Sequence, residues 1–345
     1  MANSDIPEGV LFGMGNPLLD ISAPVDKSFL QAYNLEANNA ILAGEEHLPL
    51  FDQMMQKYQC DFIAGGATQN SIRTAQWLLR QPQVTTYIGC IGKDKFADLL
   101  INAATNEGLR VNYMQTSEQP TGTCAVLLTD KHRSLVANLG AAEHYKEEHL
   151  LKEENWRWVE KAKIYYSSGY FLKVSPSSMM TVAKHSHDNG KIFATNISAP
   201  YLITLVKDDM MRIFPYIDIL FGNETEFDVF AKEHSFGTSD LKEIGKKIAA
   251  MPKVNPKYPR IVIITQSQDP VIVVRDGECM EFPVPPLNQD DIVDSNGAGD
   301  AFAGGYLSQL VQGKPITECV RCGIYAARVI LQRSGITFPA EHDYQ

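Results

Sequence analysis

Six short apolar segments recur along the chain, each ending in Gly, Ser, Glu or Gln: VLFGMG (10–15), TTYIGCIG (85–92), KIYYSSG (163–169), KIFATNIS (191–198), IDILFGNE (217–224) and RIVIITQ (260–266). Amphipathic helical spacing fills most of the intervals, over 68–80, 94–107, 146–162, 176–189, 202–214, 224–234 and 239–251. Near-continuous apolar strands separated by helices specify a parallel sheet covered on both faces. Ligands of such sheets collect beyond the carboxyl ends of the strands, so the residues after each strand are where chemistry is expected.

Two stretches break the alternation. Residues 17–64 carry a strand-like LLDISAPV and a mixed ANNAILAGEEHL; residues 121–140 read as two strands around a turn at Asp130–Lys131. In the second strand Leu135, Ala137 and Leu139 alternate with Val136 and Asn138, which gives one apolar face able to cover a ligand. The two stretches are expected to form one small β lid over the carboxyl edge of the sheet.

Composition narrows the function classes. With 44% hydrophobic and 21% charged residues this is an ordinary globular chain, and 345 residues suffice for a large core. Its net charge of -10 and lack of a Lys/Arg run speak against nucleic acid as partner. No apolar run is long enough for a membrane span, and MANSDIPEGV lacks the features of a signal peptide. The six cysteines are therefore expected to be reduced thiols in a cytoplasmic protein, including the CxxC at Cys319 and Cys322 inside a helical pattern.

The most informative string is DSNGAGDAF, 294–302. A short strand, DIV (291–293), is expected before it and a helix, DAFAGGYLSQLV (300–311), after it. Gly297 and Gly299 allow a tight turn, and the unpaired amides at the helix start make an anion site. The string continues neither into GxGxxG, which excludes a dinucleotide oxidoreductase fingerprint, nor into a Walker A loop. A carboxylate, Asp300, beside an anion site suits an anion in transit: a phosphoryl group stabilised by amides while the carboxylate takes the proton of the attacking alcohol. A helix-capping Asp is the alternative at this level.

Four more strings follow strands. AGGATQN (64–70) offers Gly65 and Gly66 for close backbone approach and Asn70 as a hydrogen-bonder for a polyol or sugar, or else a plain tight turn. GNPLLD (15–20) ends in Asp20, whose carboxylate can accept from two adjacent hydroxyls. FGNETE (221–226) sets Asn223 and Glu226 on one face of a helix start, a hard-oxygen pair that suits Mg2+ through water. TQSQDP (265–270) presents Thr265 and Ser267 toward a nucleotide. Arg133, in the lid turn, can swing onto phosphates or remain a solvated arginine.

In this order the five strings resemble the ribokinase (PfkB) family of carbohydrate kinases, most specifically at DSNGAGDAFAGG, and within it the branch that phosphorylates adenosine. The resemblance runs over nearly the whole chain. It implies a three-layer α/β/α fold with a mostly parallel sheet and a discontinuous β lid, the large domain being 1–16, 65–120 and 141–345 and the lid 17–64 and 121–140. It implies ATP and Mg2+, adenosine as acceptor through its 5′-hydroxyl, and a monomer. Asp300 matches the family's catalytic base, Gly297, Ala298 and Gly299 its anion hole, and Arg133 the lid arginine. Asp20, Gly66 and Asn70 match ribose contacts, and Asn16, with Asn296 nearby, polar groups of the nucleoside site. Leu18, Leu42, Cys124, Leu135, Ala137, Leu139 and Phe171 match the pocket around the base and ribose, with Tyr201 near it. Asn223 and Glu226 match the Mg2+ and phosphate motif. The chain departs from the family at Ser267, where glycine is usual, and from the adenosine branch at Ala40 and Ile324. A sugar or another nucleoside as acceptor, and a non-catalytic nucleoside-binding regulator, are the competing readings; the intact Asp300 and its turn speak against the regulator.

Overall fold

The structure is a computed structural model that describes residues 6–36, 40–129, 132–255 and 258–344. The turn at Asp130–Lys131 lies outside the described residues, as do the side chains of Ala40, His132 and Arg133. The expected strands assemble into a nine-stranded sheet in the spatial order Glu278–Phe282, Asp269–Arg275, Ile261–Gln266, Ile219–Asn223, Ile192–Asn196, Ile164–Ser168, Leu11–Met14, Thr85–Ile88, Arg110–Val111. All pairs from Ile261–Gln266 onward are parallel, and the first two strands add an antiparallel hairpin. The chain winds from Leu11–Met14 outward to one side and then returns to wind to the other. The switch point is therefore the carboxyl end of Leu11–Met14.

Alternation along the strands divides the core between two faces. Leu11, Tyr166, Ile219 and Ile263 pack with Ile72, Ala303 and Tyr306 of the helices Ala67–Leu79 and Ala298–Val311. Phe12, Tyr165, Leu220 and Ile264 pack with Val182, Phe227 and Ile244 of helices on the other side. This is the three-layer α/β/α arrangement expected of the sequence.

A second, five-stranded sheet has the order Ala40–Leu42, His132–Asn138, Thr123–Thr129, Leu18–Pro24, Asp61–Gly65. One of its faces is covered by the helices Lys27–Ala32 and Leu48–Lys57, whose Phe29, Leu30, Leu50 and Met54 pack on Leu19, Ile21, Ala125, Leu127 and Val136. Its other face looks toward the carboxyl edge of the large sheet.

Four expected elements differ. TTYIGCIG is two strands: Thr85–Ile88 stays in the large sheet, while Cys90–Gly92 pairs with Met114–Thr116. The break falls at Gly89, which runs so close to the Gly15 carbonyl and the Pro17 ring that no side chain would fit. DIV is not a strand; a 3-10 turn, Gln289–Asp291, precedes an irregular segment whose Val293 and Asp294 amides donate to the Leu331 carbonyl. The helices expected over 146–162 and 202–214 each divide in two, as Glu147–Leu150 with Glu153–Lys161 and Pro200–Leu205 with Lys207–Ile213. Cys319 and Cys322 are buried in the helix Ile316–Leu331 with free thiols. Among the described residues no helix is long and apolar enough to cross a membrane.

Candidate active site

The helix Ala298–Val311 starts at Gly297, whose φ of 76° is left-handed and whose missing side chain avoids a collision with Ile336. Asp294, buried just upstream, accepts from the Asn296 amide at 2.9 Å and from the Gly335 amide at 3.3 Å, which fixes the turn. The first intrahelical bond is from the Ala301 amide to the Gly297 carbonyl, 2.8 Å. The amides of Ala298, Gly299 and Asp300 precede it and face outward with the positive end of the helix dipole. Open space lies beside Gly299 where a side chain would otherwise be.

Asp300 follows in the first turn. Its Oδ2 accepts from Asn70 Nδ2 at 3.1 Å, and Asn70 belongs to the first turn of the helix Ala67–Leu79. That helix is tied to the large sheet by Thr68: its hydroxyl donates to Ser168 Oγ at 3.0 Å and accepts from the Ser168 amide at 2.9 Å. Burial pushes the Asp300 carboxyl up to about 7; the Asn70 bond opposes this, and the negative charges of Asp20 and Glu226 add to it. A carboxylate poised near neutrality, bonded through one oxygen, has a lone pair left for an incoming proton.

Three cavities run in line past this carboxylate. The inner one, about 540 Å³, lies between the small sheet and the strand ends. Asn16, Leu18, Asp20, Leu42, Gly66 and Asn70 line it, as do Cys124, Leu135, Ala137, Leu139, Asn296, Gly297 and Asp300. A gap of about 230 Å³ follows, bounded by Asn196, Ser198, Asn223, Glu226, Gly299 and Asp300. The outer cavity, about 390 Å³, is walled by Asn223, Thr265, Ser267, Ala298, Gly299, Ile324 and the segment Val284–Leu287. Asp300 borders both the inner cavity and the gap, and Gly299 both the gap and the outer cavity. A separate cavity of about 420 Å³ at the amino-terminal edge of the strands, among Tyr216, Lys253, Tyr258 and Lys314, shares no residue with these three.

Within the inner cavity, Asn16 Oδ1 is shut away from solvent and accepts no hydrogen bond among the described residues. A buried acceptor without a donor is costly, and a small turn of the side chain, which lines the cavity, would offer it to a ligand hydroxyl. Gly66, with φ of 97°, has the Asn16 carbonyl where a side chain would be, which holds the two segments together. Asn223 and Glu226 form a reciprocal capping box at 2.9 Å each way at the start of the helix Glu224–Glu233. Glu226 is buried beside the gap, and burial raises its pKa against the effect of the Asn223 amide. Its first duty is to the helix start, but its carboxylate still borders the space where phosphates would lie.

Two expected nucleoside contacts sit elsewhere. Phe171 does not line the cavity: the 3-10 turn Gly169–Lys173 sends its ring into the core against Tyr145, 5.4 Å between centroids, and presents Tyr170 to the cavity instead. Gly65 is also off the wall; a side chain there would collide with the Asp20 carboxylate, so its role is to make room for Asp20. Arg133 lies on the strand His132–Asn138, but its side chain is outside the described residues. Ser267 takes φ of 51°, the left-handed conformation for which the usual glycine is suited.

The sequence reading missed Tyr170, Ile41, Val174 and Leu205 in the inner cavity, Asn196 and Ser198 in the gap, and Pro285, Pro286 and Arg328 in the outer one. Asn196 ends the strand Ile192–Asn196, so the search beyond strand ends applied to it as much as to Asn223. The Val284–Leu287 wall is loop and carries no motif.

Residues 35–343 match the pfkB family carbohydrate kinase pattern. The chain is 51% identical over 344 residues to adenosine kinase 1 of Arabidopsis thaliana, covering 100% of each. Among solved structures it is similar to Anopheles gambiae adenosine kinase in complex with P1,P4-di(adenosine-5) tetraphosphate: TM-score 0.89, 49% identity, 98% of this chain and 100% of that one. It is also similar to Schistosoma mansoni adenosine kinase in complex with 2-fluoroadenosine: TM-score 0.88, 36% identity, 97% and 99% covered. With the family pattern matched across most of its length and a full-length relative at this identity, the chain belongs to the pfkB family of carbohydrate kinases.

Proposed function

We propose that the chain is an adenosine kinase, transferring the γ-phosphoryl group of ATP to the 5′-hydroxyl of adenosine to give AMP and ADP. The observation that carries this reading is the position of Asp300, on the border of the inner cavity and the gap and beside outward-facing amides. Adenosine occupies the inner cavity, with its ribose hydroxyls on Asp20, Asn70 and the orphaned Asn16 Oδ1 and its base among Leu18, Leu135, Leu139 and Tyr170. ATP lays its phosphates in the gap and its base in the outer cavity, beside Thr265, Ser267 and Ile324. The Anopheles kinase binds a ligand with an adenosine at each end of a phosphate chain, which suits two cavities joined by a gap.

Asp300 takes the proton as the 5′-oxygen attacks phosphorus and the bond to the β-γ bridging oxygen breaks, with ADP leaving. The amides of Ala298, Gly299 and Asp300 stabilise the charge on the transferring group. Among the described residues no three His, Cys, Asp or Glu side chains cluster to cage a metal. Mg2+ keeps several waters and takes substrate phosphates as ligands. Asn223 and Glu226 would hold such an ion through water, and it would neutralise phosphate charge.

The small sheet acts as the lid over adenosine, and Arg133, on its strand His132–Asn138, is the candidate for the transferred phosphate by its place in the sequence pattern. Its outward face is already covered by Lys27–Ala32 and Leu48–Lys57, which favours a monomer. Six free cysteines suit the reducing cytoplasm. The test is ADP release with Mg2+ and ATP from adenosine, inosine, guanosine, ribose and fructose. Adenosine turning over fastest, with AMP as product, is expected; turnover of a sugar alone would overturn the acceptor assignment.

A further inference from the structure

Besides Asp300 and the polar groups Asn16, Asp20, Asn70, Ser168 and Asn296, the inner cavity carries one ion pair among apolar and tyrosine side chains. Lys173 Nζ and Glu143 Oε1 form an ion pair at 2.7 Å, and both residues line the wall. The cavity shares Ala67, Tyr170, Gly297 and Asp300 with the gap, but not this pair. The pair therefore lies off the gap, on a wall of the inner cavity that also carries Leu139, Val174, Tyr201 and Leu205. The 3-10 turns Gly140–His144 and Gly169–Lys173 supply its two halves. Gly140–His144 packs on the two-stranded sheet of Cys90–Gly92 and Met114–Thr116, and Gly169–Lys173 on the strand Ile164–Ser168: Ala141 and Ala142 are buried on one, Phe171 and Leu172 on the other. The charges thus stand on fixed supports.

A nucleoside with its 5′-oxygen at Asp300 and its ribose on Asp20 and Asn70 extends its base toward this wall. A carboxylate only accepts hydrogen bonds and an ammonium only donates them. A 6-aminopurine offers an N–H donor next to a ring-nitrogen acceptor. A 6-oxopurine sets a carbonyl oxygen where the amino group was, against the carboxylate.

We propose that Glu143, held by Lys173, is a specificity-determining residue that accepts from the exocyclic amino group of the base, with Lys173 donating to the adjacent ring nitrogen. This rests on the adenosine kinase reading and adds to it the means of selecting amino over oxo purines. The side chains are 46% (Lys173) and 39% (Glu143) exposed, so solvent moderates the discrimination.

The test compares wild type, Glu143→Gln and Lys173→Met by kcat and KM for adenosine and inosine, and by calorimetric binding of both nucleosides without ATP. Glu143→Gln keeps the size of the side chain but can present an N–H to the carbonyl of inosine. The preference for adenosine over inosine falls about tenfold in Glu143→Gln, through a higher KM for adenosine with kcat nearly unchanged. Lys173→Met shifts it the same way by less. A preference unchanged within about twofold in both variants, or one altered through kcat alone, overturns the proposal. Binding separates this from the function itself. Wild type that prefers adenosine in calorimetry and loses that preference in Glu143→Gln supports the pair even without turnover. Wild type that binds no adenosine overturns both readings.

Discussion

With Asp300 as the proposed base, its protonation sets the pH dependence. With its pKa pushed up to about 7 and the carboxylate as the active form, kcat/KM for adenosine should rise through neutrality and level off above it. Asn70 donates to that carboxylate and so favours the charged form; in Asn70→Ala the rising limb of the pH–rate profile should move to higher pH. A profile with an unmoved midpoint would remove Asn70 from the account. Stability runs the other way. A carboxyl whose pKa is higher in the folded than in the unfolded state favours folding at low pH, and that contribution is lost as pH rises through about 7. Asp300→Asn should therefore melt above wild type at pH 8 and show little gain at pH 4, by calorimetry. Asp300, Asn70 and Asp20 stand out as candidates in the sequence because each lies in a distinctive string, Asn70 and Asp20 soon after the strands Asp61–Gly65 and Leu11–Met14 and Asp300 in the first turn of a helix. Phe171 was misplaced by one residue, since no periodicity in GYFLK fixes which ring a single 3-10 turn sends inward.

At the scale of elements, the turn into Ala298–Val311 separates two glycines of different purpose. Gly297 is left-handed and pressed against Ile336, so Gly297→Ala should cost stability, by about 1–2 kcal/mol from the backbone alone. Gly299 sits in the helix with open space beside it, so Gly299→Ala should fold at least as well as wild type, since alanine favours a helix by up to about 1 kcal/mol. The added methyl would nevertheless occupy phosphate space, and kcat should fall. Denaturant melts paired with steady-state rates distinguish the two; a fully active Gly299→Ala would move the phosphate elsewhere. Long, strongly periodic elements such as Ala67–Leu79 were readable from sequence. Breaks within apolar runs were not, because Gly89 interrupts TTYIGCIG through contact with a loop more than seventy residues away in sequence. DIV is as apolar as an edge strand, but its backbone partner is a helix end, Leu331, rather than a strand.

For the whole molecule, the switch point, the small sheet and the helix start converge on one line of cavities. Alternation in Leu135–Leu139 marks the side of the small sheet that faces the inner cavity, while its covering helices follow only from packing. The outward face being covered, sedimentation at micromolar concentration should give a monomer of 38.4 kDa; a stable dimer would contradict that use of the two helices. On the proposed reading, the carboxylate beside the anion turn takes the proton of the adenosine 5′-hydroxyl as the phosphoryl group moves onto it. The most direct measurement is single-turnover AMP formation from adenosine and ATP, wild type against Asp300→Asn, with adenosine affinity read in parallel by calorimetry. We expect the same order of affinity and a rate lowered by about 10²–10⁴. AMP formed by Asp300→Asn at near the wild-type rate would contradict it.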